Sequence, residues 1–324
     1  MEETVTSMRR LLACTLLLLA CGANAQNYPN KPIRLLVGYA PGGGADTLAR
    51  ILSAPLSELL GQQIVVENRP GAGSTMAAAA AAKASPDGYT LYYADAAFLT
   101  APSILDKLPY DPVRSFAPVS GTVSLPLAIV VNPAVPAKTP QELIALVKAN
   151  PGKYSYGTPG VGTLQHLCGE LLKKMLGIEW THVPYKGAAA VVPDVIAGQI
   201  PIGIISATAA LGQARSGKLR IVALTSPQRL PGAPEHPVLA EAIRGLDVSI
   251  DLFVIAPAGT PASVISTLNK AIKTVLGRKE VLDNIKVQGG IPDWTTPEDL
   301  SARITRDIAK WSAVVNESRI RIER

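Results

Sequence analysis

Cysteine and aromatic residues are scarce in this chain. It has three cysteines in 324 residues, and aromatic side chains make up 5% of it. Cys14 and Cys21 fall close to the N-terminus, so Cys168 has no partner for a disulfide in the rest of the chain. We therefore expect the fold to be stabilised by its hydrophobic core rather than by cross-links.

Basic clusters and long apolar runs are also missing beyond the N-terminus. The formal net charge is +6, yet no run of Lys and Arg follows Arg10. This distribution argues against a nucleic-acid partner and mildly favours anionic ligands. No later segment approaches the ~20 consecutive apolar residues that span a bilayer.

Motifs of common enzyme classes are absent. His166, His182 and His236 show no metal-binding spacing, and there is no Gly-x-Ser-x-Gly elbow. The sequence from Gly42 to Thr47 has Thr where a dinucleotide-binding fingerprint needs a small residue, and no phosphate-binding Gly-Lys-Ser/Thr occurs. We expect no enzyme activity, no cofactor and no metal. An exported enzyme that uses Asp46, His166 or Asp194 is the minor alternative.

The N-terminus has the pattern of an export signal, which we place at residues 1–25. Two arginines precede the apolar run Leu11–Ala20, and residues 23–25 form a small-x-small cleavage site. Met8 begins a more typical leader than the acidic residues before it. Alternatively, Cys21 ends a sequence that loosely resembles a lipobox and would carry a lipid anchor. The Leu in the middle of that sequence favours plain cleavage.

Strands and helices alternate in the remainder. The segments Ile33–Val37, Ile64–Val66 and Tyr89–Ala94 read as strands, each followed by a turn and a helical pattern. Such apolar strands alternating with helices predict a mainly parallel sheet covered on both faces. We predict a break after Val119 and a new set of strands from Leu127.

Three glycine-rich loops each lie between a predicted strand and the N-terminus of a predicted helix. They are Ala40–Asp46, Tyr156–Thr163 and Pro184–Ala190. Backbone N–H groups at helix N-termini bind carboxylates without a cationic side chain. A single loop of this kind is better explained by the need for a sharp turn, but three of them favour a shared anion site.

Four side chains near these loops leave alternatives open. Cys168 falls on the apolar stripe of its helix and is predicted to be buried. His166 is either a capping histidine or a hydrogen-bond donor to a ligand. Asp46 is either a helix N-cap or a ligand contact. Asp194 either caps loop amides or accepts from a ligand.

Short ordered segments across the chain resemble those of a known family. They are Tyr28–Arg34, Ala40–Asp46, Val66–Gly73, Pro86–Leu91, Pro151–Lys153, Tyr156–Thr158, His182–Gly187, Gly217–Arg220 and Ala256–Pro261. Together they resemble the Bug family, the TctC-like periplasmic substrate-binding receptors of tripartite tricarboxylate transporters. The resemblance runs from Tyr28 to the C-terminus.

The resemblance implies a fold and a function. The fold would be α/β, a two-lobed periplasmic-binding-protein (Venus flytrap) fold in which each lobe is a mostly parallel sheet flanked by helices. Lobe 1 would comprise residues 26–126 and 251–324, and lobe 2 residues 127–250. The protein would be a periplasmic monomer that captures a small carboxylate for the membrane subunits of a transporter. Alternatively, it would act as a ligand-loaded sensor for a signalling partner such as a sensor kinase.

The resemblance also implies a binding site that holds the carboxylate by loop amides, hydroxyls and bridging waters. Lobe 1 would contribute Tyr39, Gly43, Gly44 and Asp46. Lobe 2 would contribute Thr158, Gly162, Thr163, His166, Lys186, Gly187, Asp194 and Ser206.

The sequence departs from the family pattern at several positions. Tyr39 stands where Phe is common, Pro201 replaces an acidic residue, and Asp251 and Phe253 replace Trp and Gly. If Asp251 borders the mouth of the cleft, its charge would disfavour ligands with a second negative charge nearby.

Overall fold

The computed structural model describes residues 28–105, 107–185, 187–244 and 246–318. The predicted signal peptide with Cys21, and the predicted ligand residue Lys186, lie outside the described residues. The strands are β1 (Ile33–Val37), β2 (Ile64–Asn68), β3 (Thr90–Ala94), β4 (Phe116–Val131), β5 (Ser155–Thr158), β6 (Thr181–Pro184), β7 (Ile202–Ser206), β8 (Arg220–Leu224), β9 (Ser249–Pro257) and β10 (Ile291–Pro292). The α-helices are α1 (Gly44–Leu60), α2 (Thr75–Ala82), α3 (Ala96–Ile104), α4 (Pro140–Lys148), α5 (Leu164–Leu176), α6 (Ala188–Ala197), α7 (Ala207–Arg215), α8 (Ala262–Leu276), α9 (Lys279–Val287) and α10 (Pro297–Glu317).

The strands form two connected sheets, each built around three parallel strands. In the first sheet the order is β2-β1-β3, followed by the antiparallel strands β9 and β4. In the second sheet β5 lies between β6 and β7 and is parallel to both, while β4 runs antiparallel to β7 and β8. Because parallel strands end at a common edge, the loops after β1, β2 and β3 lie together, as do those after β5, β6 and β7.

Strand β4 belongs to both sheets. Its residues 116–126 pair with β9, and its residues 127–131 pair with β7 and β8. The break predicted after Val119 is therefore wrong: the strand continues, with irregular register near Pro118 and Gly121. The predicted α/β class is confirmed, and the antiparallel strands make each sheet mixed. The exact lobe boundaries stay a prediction.

The hydrophobic core follows this architecture. Phe98 of α3 packs edge-to-face against Phe116 of β4 and Phe253 of β9. Helix α10 contacts both α3 and α5, so it packs against elements of both sheets. Cys168 is fully buried, as predicted, and burial raises the pKa of its thiol to about 12. Within the described ranges, no helix has the length and apolar character to cross a membrane.

Candidate functional site

The loop after β1 presents backbone amides at the start of α1. Gly42 has a φ of +83°, which glycine adopts without strain, and Gly43 is the N-cap. No side chain caps this helix end, so the first-turn N–H groups lack a side-chain acceptor among the described residues. A Cβ placed at Gly44 would meet no described atom within 4 Å. The predicted residue Gly44 therefore borders open space, whereas a Cβ at Gly43 would lie 3.5 Å from the Ala40 carbonyl oxygen.

The buried side chain of Asp46 holds this loop in place by hydrogen bonds. Its carboxylate is 2% exposed and accepts hydrogen bonds from the Gly42 N–H at 2.8 Å, Arg50 Nε at 3.0 Å and Asn68 Nδ2 at 2.9 Å. Burial alone would raise the pKa of Asp46, but the hydrogen bonds from Arg50, Gly42 and Asn68 lower it to about 2. Asp46 is therefore ionised and engaged within the lobe, and Gly43 rather than Asp46 is the N-cap.

Tyr39 is held by groups at the ends of the two strands that flank β1. Asn68, the last residue of β2, donates to the Tyr39 carbonyl at 2.9 Å. The Tyr39 hydroxyl donates to Asp95 Oδ2 at 2.5 Å. Asp95 follows β3 and also caps α3 by accepting from the Ala97 N–H. Burial raises the pKa of Asp95.

Beside Tyr39, the backbone at Gly38 lies very close to Ser74. A Cβ at Gly38 would lie 1.8 Å from Ser74 Oγ, so glycine is required there. Ser74 and Ala72 have φ values of +72° and +47°, which are costly for residues other than glycine. Such backbone strain often accompanies functional loops.

In lobe 2, Thr163 and His166 cap helix α5 reciprocally. The Thr163 hydroxyl accepts from the His166 N–H at 3.3 Å, and His166 Nδ1 accepts from the Gly162 N–H at 3.1 Å. Because Nδ1 accepts, the neutral ring carries its proton on Nε2. His166 is thus a capping residue, as one of the two alternatives predicted, and its role as a donor to a ligand stays a prediction.

His166 also stacks on His182. The ring centroids lie 3.8 Å apart with an interplanar angle of 11°. His182 Nε2 hydrogen-bonds to Thr158 Oγ1 at 2.7 Å, and Thr158 is fully buried. Burial lowers the pKa of both histidines, and the neighbouring His166 helps to lower that of His182 to about 4. Both rings are therefore neutral at pH 7.

The loops after β5 and β6 are tied together. The Gly187 N–H donates to the Pro159 carbonyl at 2.9 Å, and Gly187 is the N-cap of α6 without a side-chain cap. Asp194 accepts from the Tyr185 hydroxyl at 2.8 Å, so it holds a neighbouring side chain rather than loop amides. Ser206, at the end of β7, caps α7 by accepting from the Ala209 N–H at 3.3 Å.

The structure thus gathers the predicted residues into two groups, one at each sheet edge. The lobe 1 group is Tyr39, Gly43, Gly44 and Asp46, and the described lobe 2 group is Thr158, Gly162, Thr163, His166, Gly187, Asp194 and Ser206. Helix α3, which Asp95 caps, contacts α5, which Thr163 caps. No hydrogen bond joins a side chain of one group to the other within the described ranges.

Comparison with known proteins identifies the family. The model of the tripartite tricarboxylate transporter family receptor, TctC, matches residues 48–320. The chain belongs to the TctC family. It is 34% identical over 320 residues to the protein BugT of Bordetella pertussis, covering 96% of this chain and 98% of BugT. The predicted resemblance to the Bug family is confirmed.

Solved structures of TctC-like proteins share the fold. Rpa4515 of R. palustris, solved with adipate, has a TM-score of 0.77 and 31% identity, with 91% of this chain and 100% of that chain covered. MatC of Rhodopseudomonas palustris, solved with malate, has a TM-score of 0.71 and 28% identity, with 89% and 100% covered. The two-lobed periplasmic-binding-protein fold is confirmed. Receptors of the TctC family are periplasmic solute-binding proteins.

Asp251, one of the departures from the TctC family pattern, faces the C-terminal helix. Its carboxylate accepts from the Ser124 hydroxyl at 2.7 Å and lies 3.6 Å from Arg303 of α10. Burial raises its pKa to about 7. Asp251 therefore contacts the connecting strand and α10, and its predicted effect on ligand charge stays untested.

Three residues of this TctC site escaped the sequence analysis as site residues: Asn68, Asp95 and His182. Asn68 and Asp95 stand at the carboxyl ends of β2 and β3, and His182 lies on β6 beside β5. Polar residues at the ends of strands next to a glycine-rich loop were the available signal.

Proposed function

We propose that this protein captures a small carboxylate between its lobes and passes it to the membrane subunits of a tripartite tricarboxylate-type transporter. The observation that carries the proposal is the pairing of two uncapped helix N-termini, α1 at Gly43 and α6 at Gly187, with the carboxyl edges of parallel strands. Each such end offers several N–H donors and the positive end of a helix dipole. The adipate and malate bound to related proteins support a carboxylate as the ligand class.

The proposed contacts divide by chemistry. Amides come from Gly43 and Gly44 and from the first turn of α6, and a neutral donor comes from His166 Nε2. Gly162 and Gly187 position their loops, because their N–H groups already donate to His166 Nδ1 and to the Pro159 carbonyl. Ser206 adds a hydroxyl donor beside them, whereas the hydroxyls of Tyr39 and Thr163 donate to Asp95 and to the Gly160 carbonyl and line the site. Lys186 stays in the proposed site as a predicted residue. Asp46, Thr158 and Asp194 support the residues that contact the ligand and do not contact it themselves, because each is already hydrogen-bonded within its own lobe.

Closure of the lobes would move the carboxylate out of water and into a low-dielectric environment. Amide dipoles act more strongly on a charge in that environment. It would also create the surface that membrane subunits recognise, since only the closed form brings both lobes to one partner. Export by the predicted signal peptide, residues 1–25, places this step in the periplasm.

A thermal-shift titration tests the ligand class. Malate, adipate and citrate are compared with their amides, and we expect a carboxylate to raise the melting temperature in a dose-dependent way while its amide has no effect. A shift by neutral or cationic solutes alone would contradict the anion site.

The variant Gly44→Leu locates the site. A leucine there extends into open space beside the α1 amides, so the unliganded melting temperature should stay close to that of the native protein. We expect the affinity for the carboxylate found above to fall about tenfold or more. Gly277→Ala, at the end of α8, is the control and should bind normally. Loss of uptake of that carboxylate by cells that lack the protein tests the transport role against a sensor role.

A further inference from the structure

A second cavity lies between the lobes, and none of the described residues of the proposed carboxylate site lines it. One wall is formed by α7 and residues 230–233, and the other by α9 and residues 289–292. Helix α7 packs on the second sheet, whereas α9 packs on α1 and α8 of the first. The cavity volume is about 550 Å³, which suits one small molecule, since such sites span roughly 300–1,000 Å³.

The walls of this cavity are mainly apolar. Leu211 and Leu230 contribute from one side, and Leu282, Val287 and Ile291 from the other. Val287 is 78% exposed and Leu282 is 36% exposed, so apolar surface stays open to water at this place. Contact with an apolar guest would remove that surface from water.

The charged groups at the cavity are both cationic. Arg215 and Lys286 line it, and no Asp or Glu among the described residues does. Neither cation forms an ion pair with a carboxylate of the described residues. The Lys286 stem crosses Gly232 of the opposite wall, where a Cβ would lie 2.9 Å from its Cε. An apolar body with one negative charge matches this combination.

A guest in this cavity would touch both lobes at a point where they already meet. The Thr208 hydroxyl, in the first turn of α7, donates to the Gln288 carbonyl beyond α9. Gly289 lies against Thr208, where a Cβ would be 3.3 Å from its Oγ1.

We propose that this cavity is a second binding site, which takes an apolar monocarboxylate and is separate from the cleft of the proposed function. Octanoate is a suitable probe, and octanamide is its neutral counterpart of the same length. We expect isothermal titration of the purified protein to show saturable octanoate binding that is about tenfold tighter than octanamide binding, because Arg215 and Lys286 recognise the charge.

Variants of the cavity locate the bound octanoate. A Cβ at Gly212, inside α7, meets no described atom within 4 Å, so Gly212→Leu fills the cavity without a clash and should weaken binding about tenfold or more. The double variant Arg215→Gln with Lys286→Gln should remove the preference for octanoate over octanamide. Lys279→Gln, which removes a cation paired with Asp283 on the same helix as Lys286, is the matched control and should bind normally.

Gly44→Leu separates this site from the main cleft, because it obstructs the cleft and should leave octanoate binding unchanged. Absence of saturable binding, full binding by Gly212→Leu, or loss of binding in Gly44→Leu would each overturn the second site. The last result would place octanoate in the main cleft and leave the proposed function intact.

Discussion

The two sides of the proposed carboxylate site are held in place by different chemistry. In lobe 1 an ionised, nearly buried carboxylate, Asp46, binds the loop amide of Gly42 and the side chains of Arg50 and Asn68. In lobe 2 the loop before α5 is held by neutral groups, among which the stacked rings of His166 and His182 are central. One wall is thus organised by charge and the other by neutral hydrogen bonds.

This difference gives the two walls different responses to acid. With a pKa of about 2, Asp46 keeps its hydrogen bonds through the whole range in which the protein is expected to work. The two imidazoles lie 3.8 Å apart and can keep that stacking while neutral, since two imidazolium ions at this distance repel. Of these two groups, the stacked imidazoles of lobe 2 are therefore the ones that respond to mild acid.

The largest expected effect is on the lobe 1 wall. Asp46→Ala leaves the Gly42 N–H and the Asn68 amide without their acceptor, and should lower the free energy of unfolding by about 2–3 kcal/mol. Urea denaturation at pH 7 measures the loss. Glu58→Ala, on the same helix, removes an equal charge from a surface pair with Arg278 and should cost less than about 1 kcal/mol. Equal losses in the two variants would show that charge does not organise this wall.

The local elements were predictable from sequence because their signals are local. The predicted strand Ile33–Val37 matches β1 residue for residue. Strand β4 was not predictable from sequence as one continuous strand, because Gly121 and Pro126 in its interior resemble a linker. Its extended form depends on β9, which follows more than a hundred residues later.

The site was predictable to a similar extent. Glycine loops before helices are local patterns, so Gly43 and Gly187 were identified together with their neighbours. The support of those loops comes from the strand order. Asn68 and Asp95 reach Tyr39 only because β2 and β3 flank β1, and His182 reaches Thr158 because β6 flanks β5.

Removing the Thr163 cap of α5 in lobe 2 should lower the free energy of unfolding less than Asp46→Ala does. Thr163→Ala removes the acceptor of the His166 N–H and should cost about 1 kcal/mol in the free energy of unfolding. Thr163→Ser keeps the hydroxyl and should retain most of that stability. Urea denaturation of both at pH 7 measures the difference. If the two variants were equally destabilised, the lost methyl contacts rather than the cap would explain the change.

The pH dependence gives the smallest expected effect near neutrality, and it tests the contrast between the walls directly. Burial and the adjacent His166 lower the pKa of His182 to about 4 from the ordinary 6.5, and burial lowers that of His166 as well. Between these values the unfolded chain binds more protons than the native protein, so this pair contributes stability that is present above pH 6.5 and is lost as the pH falls toward 4. Solvent near the partly exposed His182 ring screens the effect, which we expect to stay at or below about 1 kcal/mol by pH 5.

His182→Gln isolates this contribution from other titrating groups. Asp251, whose pKa burial raises to about 7, acts in the opposite direction and gains relative stability as the pH falls, so the native profile alone is ambiguous. The difference in free energy of unfolding between native protein and His182→Gln should shrink as the pH falls from 7 to 4.5. His236→Gln is the control, since His236 is partly buried but lies outside the stack, and it should leave the contribution of the stacked pair intact. Parallel profiles for native protein and His182→Gln would show that the stacked imidazoles do not make the lobe 2 wall sensitive to acid.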